Sequence, residues 1–252
     1  MQKDKTVAII GGGLAGLAAA RLLCTRGVAV KLFEANPKVG GCCATTRLDG
    51  YTFDDGAMYL ALPGMLDQLF HKLELDRQLL LPLRRITATQ TTTLPDGTIV
   101  TMGNGADISI ENDRGMAATA TLQEELHCFL KKWDPVLRFF ADDILLNPLS
   151  LPLFIAKGWR HLHMLRGTVA SQLNRSFSSE AARAALSGML LYNGVPPDKL
   201  PAFSLLGLAA LLRDGYFLPE GGMGSIPETL SRAVQAQGGD ISYVDDTSRF
   251  PR

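Results

Sequence analysis

The chain is poor in cysteine and histidine, with four of each, and it has no excess of either charge, 25 Lys and Arg standing against 25 Asp and Glu. Each shortage excludes something. Cys24, Cys42, Cys43 and Cys128 form no C-x-x-C pair and no zinc-ligand spacing, so they read as reduced thiols in a cytosolic setting, not as a disulfide framework. His161 and His163 make an H-x-H without a third partner at ligand spacing, so no metal is expected. The balanced charge, free of long like-charge runs, argues against a nucleic-acid binder and against an interaction tail. No apolar run reaches the roughly 20 uninterrupted residues needed to span a bilayer.

What is present is apolar material: 46% of the 252 residues are hydrophobic. That is enough for a sizeable core in one large domain or two modest ones. The N-terminus first looks like a signal peptide, with a basic start, an apolar stretch from Val7 to Leu23 and Ala18-Ala19-Ala20 as a cleavage-like site. Gly11, Gly12 and Gly13 break that stretch near its middle, and the residues that follow continue a different pattern, so the secretory reading is set aside.

The different pattern is a βαβ unit. KTVAII (5–10) reads as a short, fully buried strand of a parallel sheet. Gly11 to Gly13 turn the chain. Leu14, Leu17, Ala18, Leu22 and Thr25 recur at helical spacing up to the stop at Gly27, and VAVKLFE (28–34) is a second strand. Gly11 to Gly16 satisfy G-x-G-x-x-G. Alone that pattern is weak, but between a strand and a helix, with Glu34 closing the next strand, it points to a dinucleotide site. Gly11 permits the tight turn, Gly13 lets main chain approach a pyrophosphate, and Gly16 allows close helix packing. Unpaired N–H groups near Leu14 and Ala15, with the helix dipole behind them, suit phosphate oxygens. Glu34 is placed to accept from ribose hydroxyls and would repel a 2′-phosphate, which disfavours NADP and leaves FAD or NAD.

Further along, residues 50–57 read as a strand and turn, and 65–76 as an amphipathic helix. Thr91 to Val100 read as a hairpin turning at Pro95-Asp96-Gly97, and roughly 119–146 as helix. Two stretches are strongly apolar, Leu145–Leu165 and Leu200–Leu212. Neither carries a clear basic face, so burial in a core or around an apolar ligand is preferred to contact with a membrane surface. Residues 215–241 read as strand, Gly-rich turn, helix from about Ile226 to Gln237, and the start of another strand.

Three segments now carry a resemblance. Residues 7–41 resemble the FAD-binding fingerprint of the amine oxidase and phytoene desaturase superfamily, in which a Gly-Gly pair, here Gly40-Gly41, follows the acidic residue. GYTFDDGAMY (50–59) is similar to a segment of carotenoid desaturases and isomerases. GYFLPEGGMGSIPETLSRAVQAQGGDI (215–241) is similar to the segment in which their chain returns to the flavin domain. The resemblance implies FAD, NAD being the lesser alternative, lined by Gly11, Gly13, Leu14, Ala15, Glu34, Gly41, Cys42, Gly56 and Ala57, with Gly16, Ala35, Gly40 and Met58 adjoining. It implies a flavin-dependent oxidoreductase acting on a polyene or other long apolar substrate.

The implied architecture is α/β: a Rossmann-like FAD/NAD(P)-binding domain with a parallel sheet, its first part in 1–85 and its return in 215–252. A largely helical substrate region lies in 86–214. The family's chains run on well beyond this point, so the sequence looks like a first half. A non-catalytic FAD- or ADP-binding module and an NAD-dependent dehydrogenase are the other readings, the latter without the His or Tyr-Lys constellation it would need. Relatives place a basic or small polar residue where this chain has Cys42-Cys43; Cys42 reads as a small packing residue. Asp54, Asp55 and Glu220 are explained by turns and caps, and no catalytic acid or base is assigned.

Overall fold

The structure, a computed structural model, describes residues 6–87, 90–103, 107–111, 115–145, 151–164 and 166–244. In chain order the elements are β1 (Thr6–Ile10), α1 (Leu14–Thr25), β2 (Ala29–Glu34), β3 (Thr45–Leu48), β4 (Tyr51–Asp54), α2 (Pro63–Lys72), α3 (Arg77–Leu80), β5 (Leu83–Ile86), β6 (Gln90–Thr93), β7 (Ile99–Met102), β8 (Ile108–Glu111), α4 (Gly115–Arg138), α5 (Leu151–Leu153), α6 (Val169–Ser176), α7 (Glu180–Gly188), α8 (Leu205–Asp214), β9 (Tyr216–Pro219), α9 (Ser225–Ala236) and β10 (Asp240–Tyr243). They divide into two compact units, one of Met1–Arg84 with Phe217–Arg252, the other Arg85–Tyr216.

The first unit is built on a parallel sheet in the order β1-β2-β10, with Thr6 opposite Ala29 at one end and Ile10 opposite Phe33 at the other. Parallel neighbours need a crossover, and α1 supplies it between β1 and β2. One flank of α1 buries Leu17, Ala20 and Cys24 against Val30, Leu32, Leu230 and Val234, with Phe70 of α2 closing the cluster. Arg21 is buried on that same helix. Its Nε donates to the Leu73 carbonyl at 3.1 Å and its Nη1 to Gln237 Oε1 at 3.0 Å, so a single guanidinium satisfies groups beyond α2 and α9.

One expectation is overturned here. β1 is not a fully buried strand: its residues alternate between exposed and half-buried, and Ile10 is 65% exposed. The reason is that one face of the sheet is left open among the described residues: Thr6 and Ala8 are exposed opposite Ala29 and Lys31, which are exposed in turn, and Ile10 lies on that same face.

In the second unit β6, β7 and β8 form an antiparallel sheet. The β6–β7 turn closes at Gly97, whose φ of +84° suits glycine, and Asp96 Oδ1 accepts from the Thr98 N–H at 2.9 Å. Helix α4 holds Pro135 and gives way to a wider, π-type turn over Phe139–Leu145. Proline has no N–H for the i−4 carbonyl, and such losses are where helices change pitch.

The two apolar stretches part company. Leu200–Leu212 is mostly buried as expected, α8 hiding Leu205, Leu206, Leu208, Leu211 and Leu212, with Phe203, just before that helix, exposed. In Leu145–Leu165, by contrast, Leu145, Leu151, Ile155, Trp159 and Leu162 are exposed, so core burial fails there; residues 146–150 and 165 lie outside the described residues. No helix among the described residues is long and apolar enough to cross a membrane.

Candidate cofactor site

The site is assembled at the C-terminal ends of β1 and β2. Gly11 takes φ +102° and its N–H donates to the Phe33 carbonyl at 2.7 Å, turning the chain out of β1. Gly16 comes back over that turn so closely that a Cβ would stand 2.0 Å from the Gly11 carbonyl oxygen. Gly13 caps α1 with neither a side-chain cap nor an acidic residue in the first turn, and the first helical bond is Leu17 N–H to the Gly13 carbonyl at 3.0 Å. The opening turn therefore presents main-chain N–H groups and the positive end of the dipole, the pattern that receives an anion.

Gly13 is the informative glycine. Its φ of −73° is open to any residue, and a Cβ there would meet nothing within 4 Å. Neither backbone conformation nor packing within this chain requires glycine. A ligand lying against the main chain would, because a side chain would fill the space it takes. The residues present thus fit the diphosphate of a dinucleotide.

Gly40 and Gly41 are brought alongside. The Gly40 N–H donates to the Gly12 carbonyl at 2.9 Å, Gly13 and Gly40 form a parallel bridge, and a Cβ on Gly41 would touch Gly13 Cα at 3.5 Å. Next in line, the Cys42 carbonyl accepts the Ala57 N–H at 2.9 Å, and a Cβ on Gly56 would stand 2.5 Å from that oxygen. The segments around 11–16, 40–42 and 56–57 are thereby one continuous surface of main chain. Leu14 is half-buried, Ala15 and Ala35 are exposed, and Met58 projects from the surface. Cys42 is exposed and not a packing residue; what it contributes to the surface is its carbonyl. Burial, with Cys42 and Asp54 nearby, pushes the Cys43 thiol up.

Glu34 is 5% exposed. Its Oε2 accepts the Gly12 N–H at 2.6 Å, and its Oε1 accepts both the N–H and the Nδ2 of Asn36 at 2.8 Å. The Ala35 main-chain N–H is a further donor to this carboxylate, so most of its acceptor positions are already taken within the chain. Burial raises the carboxyl pKa, but the donors at Asn36 and Gly12 outweigh it and hold Glu34 below the ordinary carboxylate value. A depressed folded value contributes stability above the unfolded pKa, near 4.3, and loses it as pH falls through the folded one. Acid unfolding of Glu34→Gln should accordingly show a shallower pH dependence below about 4.3 than the parent; an unchanged slope would mean the carboxylate is not held this way.

Sequence reasoning missed Gly12, Asn36 and, above all, Asp54. Gly12 could have been found, because a Cβ on it would sit 2.9 Å from both Glu34 Oε2 and Val39, in a motif position left unread. Asp54 Oδ1 accepts from Thr45 Oγ1 at 2.6 Å and from the Met223 N–H at 2.9 Å, while Thr45 Oγ1 accepts the Gly224 N–H at 2.7 Å. The second and third sequence motifs are therefore clamped to each other, and Asp54 acts through position. We expect Asp54→Ala to cost about 1–3 kcal/mol, the penalty for an abandoned buried donor, measured by urea denaturation; less than half a kilocalorie would show the clamp to be idle.

The parallel strands, the glycine turn and the uncapped helix define an α/β protein with a Rossmann-like dinucleotide-binding domain. The sequence profile of the family described as flavin containing amine oxidoreductase matches residues 14–244, and the chain belongs to that family. It is 27% identical to phytoene dehydrogenase of Streptomyces griseus over 98% of its length and 49% of the relative's. To the zeta-carotene-forming phytoene desaturase of Myxococcus xanthus it is 25% identical, over 98% and 48%. Among solved structures, an oxidoreductase from Methanosarcina mazei matches with a TM-score of 0.58 and 18% identity, over 95% of this chain and 51% of that one. Putrescine oxidase bound to putrescine matches with 0.58 and 19%, over 95% and 50%. The chain spans about half the length of the curated relatives it matches. Family membership supports a flavin as the cofactor class.

Proposed function

We propose that this chain carries the FAD-binding residues of an oxidoreductase of the carotenoid-desaturase kind, acting on a polyene or other long apolar substrate. The observation that carries the reading is Gly13, a glycine whose only requirement is a ligand against its main chain. The N–H groups of the first turn of α1 would hold the diphosphate, and Glu34 a ribose hydroxyl. Gly41, Cys42, Gly56 and Ala57 would provide a main-chain wall for the remainder of the molecule. When bound, FAD supplies hydride acceptance from an allylic carbon. An apolar substrate is supported by the names of the relatives. It is supported also by exposed Leu191, Tyr192, Val195 and Phe203 in the second unit, Phe203 meeting Phe140 edge-on at 5.3 Å. Four free cysteines suit a reducing, cytoplasmic setting.

The test is a visible spectrum of the protein as purified, followed by denaturation and chromatography of the released nucleotide. FAD is the expected product, and release of NAD, or of nothing after incubation with added FAD, would overturn the proposal. Turnover is then sought with phytoene, each new conjugated double bond moving substrate absorbance to longer wavelength.

A further inference from the structure

The thiols of Cys42 and Cys43 take no part in the function proposed above, yet their place in the fold is specific. They occupy the single turn Gly41–Cys43, and three main-chain bonds hold it. The Cys43 N–H donates to the Gly40 carbonyl at 3.0 Å, the Ala44 N–H to the Gly41 carbonyl at 3.1 Å, and the Ala57 N–H to the Cys42 carbonyl at 2.9 Å. Cys42 is exposed and Cys43 half-buried. Burial raises the Cys43 thiol first of all, and the charge of Cys42 raises it further, so the two sulfurs are near enough to feel each other. The other two thiols are on other elements, Cys24 buried within α1 and Cys128 on α4.

Adjacent thiols are not an ordinary disulfide pair. Their Cα atoms are about 3.8 Å apart across a trans peptide, below the roughly 4.4 Å at which ordinary disulfides begin. A bridge between them closes only if the turn changes shape, and a bridge under such strain is readily reduced again. Both properties suit a reversible mark.

We propose that Cys42 and Cys43 form a peroxide-sensitive dithiol whose oxidation opens the main-chain wall of the cofactor site. The Cys42 thiolate attacks one oxygen of hydrogen peroxide. An S–O bond forms and the O–O bond breaks, so that sulfur gives up two electrons and becomes a sulfenic acid, while the hydroxide released takes the proton that Cys42 gave to solvent. Cys43 then attacks that sulfur, the S–O bond breaks, and the departing hydroxide leaves as water with the Cys43 proton. Two thiols and one peroxide become one disulfide and two waters. Exposure sets the order, Cys42 being open to an oxidant in solution and Cys43 partly covered. Closing the bridge would pull the Cys42 carbonyl from the Ala57 N–H and disturb the surface shared by Gly41, Cys42, Gly56 and Ala57. The effect on the cofactor rests on the flavin reading above; the oxidation itself does not.

The full chain is reduced, freed of reductant and treated with hydrogen peroxide. Trypsin releases Val39–Arg47, which holds both thiols and neither of the others. That peptide should lose about two mass units, the two thiol hydrogens, and regain them with dithiothreitol. Hydrogen exchange at the Ala57 amide should accelerate on the order of tenfold in the oxidised protein, the measure of one main-chain hydrogen bond lost. Affinity for FAD should weaken by a similar factor and return on reduction. Cys43→Ser should form no bridge and keep the slow amide through the same treatment; should it fold poorly, Cys42→Ser answers the same question. Cys128→Ser should behave as the parent. A peptide that gains oxygen in place of losing hydrogen, a bridge to Cys24 or Cys128, or a peroxide-linked dimer overturns the proposal. So does a bridge that leaves the Ala57 amide as slow as before, or one that leaves FAD affinity unchanged. A chain that bridges and opens yet never holds FAD upholds the dithiol and refutes the cofactor reading; one that holds FAD without bridging does the reverse.

Discussion

Gly13→Val will yield a folded protein that has lost its flavin. The argument rests on the sign of two effects. In the chain alone the substitution is benign: the backbone at Gly13 is extended, a conformation that valine favours, and the new Cβ meets no atom within 4 Å. Surface changes of that kind stay within about 0.5 kcal/mol of the parent. The same branched side chain, however, would occupy the space proposed for the diphosphate at the first turn of α1. Stability measured by urea denaturation should be unchanged, and the visible flavin spectrum should vanish. Retained flavin would remove the diphosphate from this position; lost stability would mean that Gly13 is packed after all.

Gly16→Ala should do the opposite and damage the fold itself. In a helix interior alanine is favoured over glycine by about 1 kcal/mol, so propensity alone forecasts a more stable protein. Against it stands a Cβ 2.0 Å from the Gly11 carbonyl oxygen, with Ile9 Cγ2 at 3.4 Å behind. The oxygen belongs to main chain and cannot rotate away, so either α1 lifts off the turn or the turn opens. Overpacking of this kind costs roughly 1–3 kcal/mol and occasionally more, and the clash outweighs propensity. A net loss of about 2 kcal/mol in urea denaturation is expected, with weakened flavin retention. A variant as stable as the parent would refute the close approach of helix and turn on which the site is built.

How much of this was legible beforehand depended on distance along the chain. The strand, glycine turn, helix and second strand of the first 34 residues were read nearly residue for residue, α1 occupying Leu14–Thr25, because periodicity and turn chemistry are local. The Asp54 clamp was not, since its partner Met223 is 169 positions away and an aspartate in a turn is amply explained by the turn. Arg21 was invisible for the same reason: a lone arginine in an apolar helix reads as snorkelling to water, whereas here it is buried against carbonyls from two other segments. The two apolar stretches show the limit of composition. Both are rich in leucine, yet α8 is buried nearly all round while Ile155 and Trp159 face outward.

The terminal position of β1 has a consequence for motion. The Gly11 N–H reaches the Phe33 carbonyl, and in an extended strand alternate amides share a side, so those of Ile9 and Val7 also turn toward β2. The amides of Ala8 and Ile10 point the other way, where no described strand receives them. Deuterium uptake will therefore be staggered along β1, fast at Ala8 and Ile10 and slow at Val7 and Ile9, as followed by NMR exchange. The peptide loop proposed to receive the phosphates is thus fastened, among the described residues, through its β2 side, and whatever loosens β2 should loosen that loop.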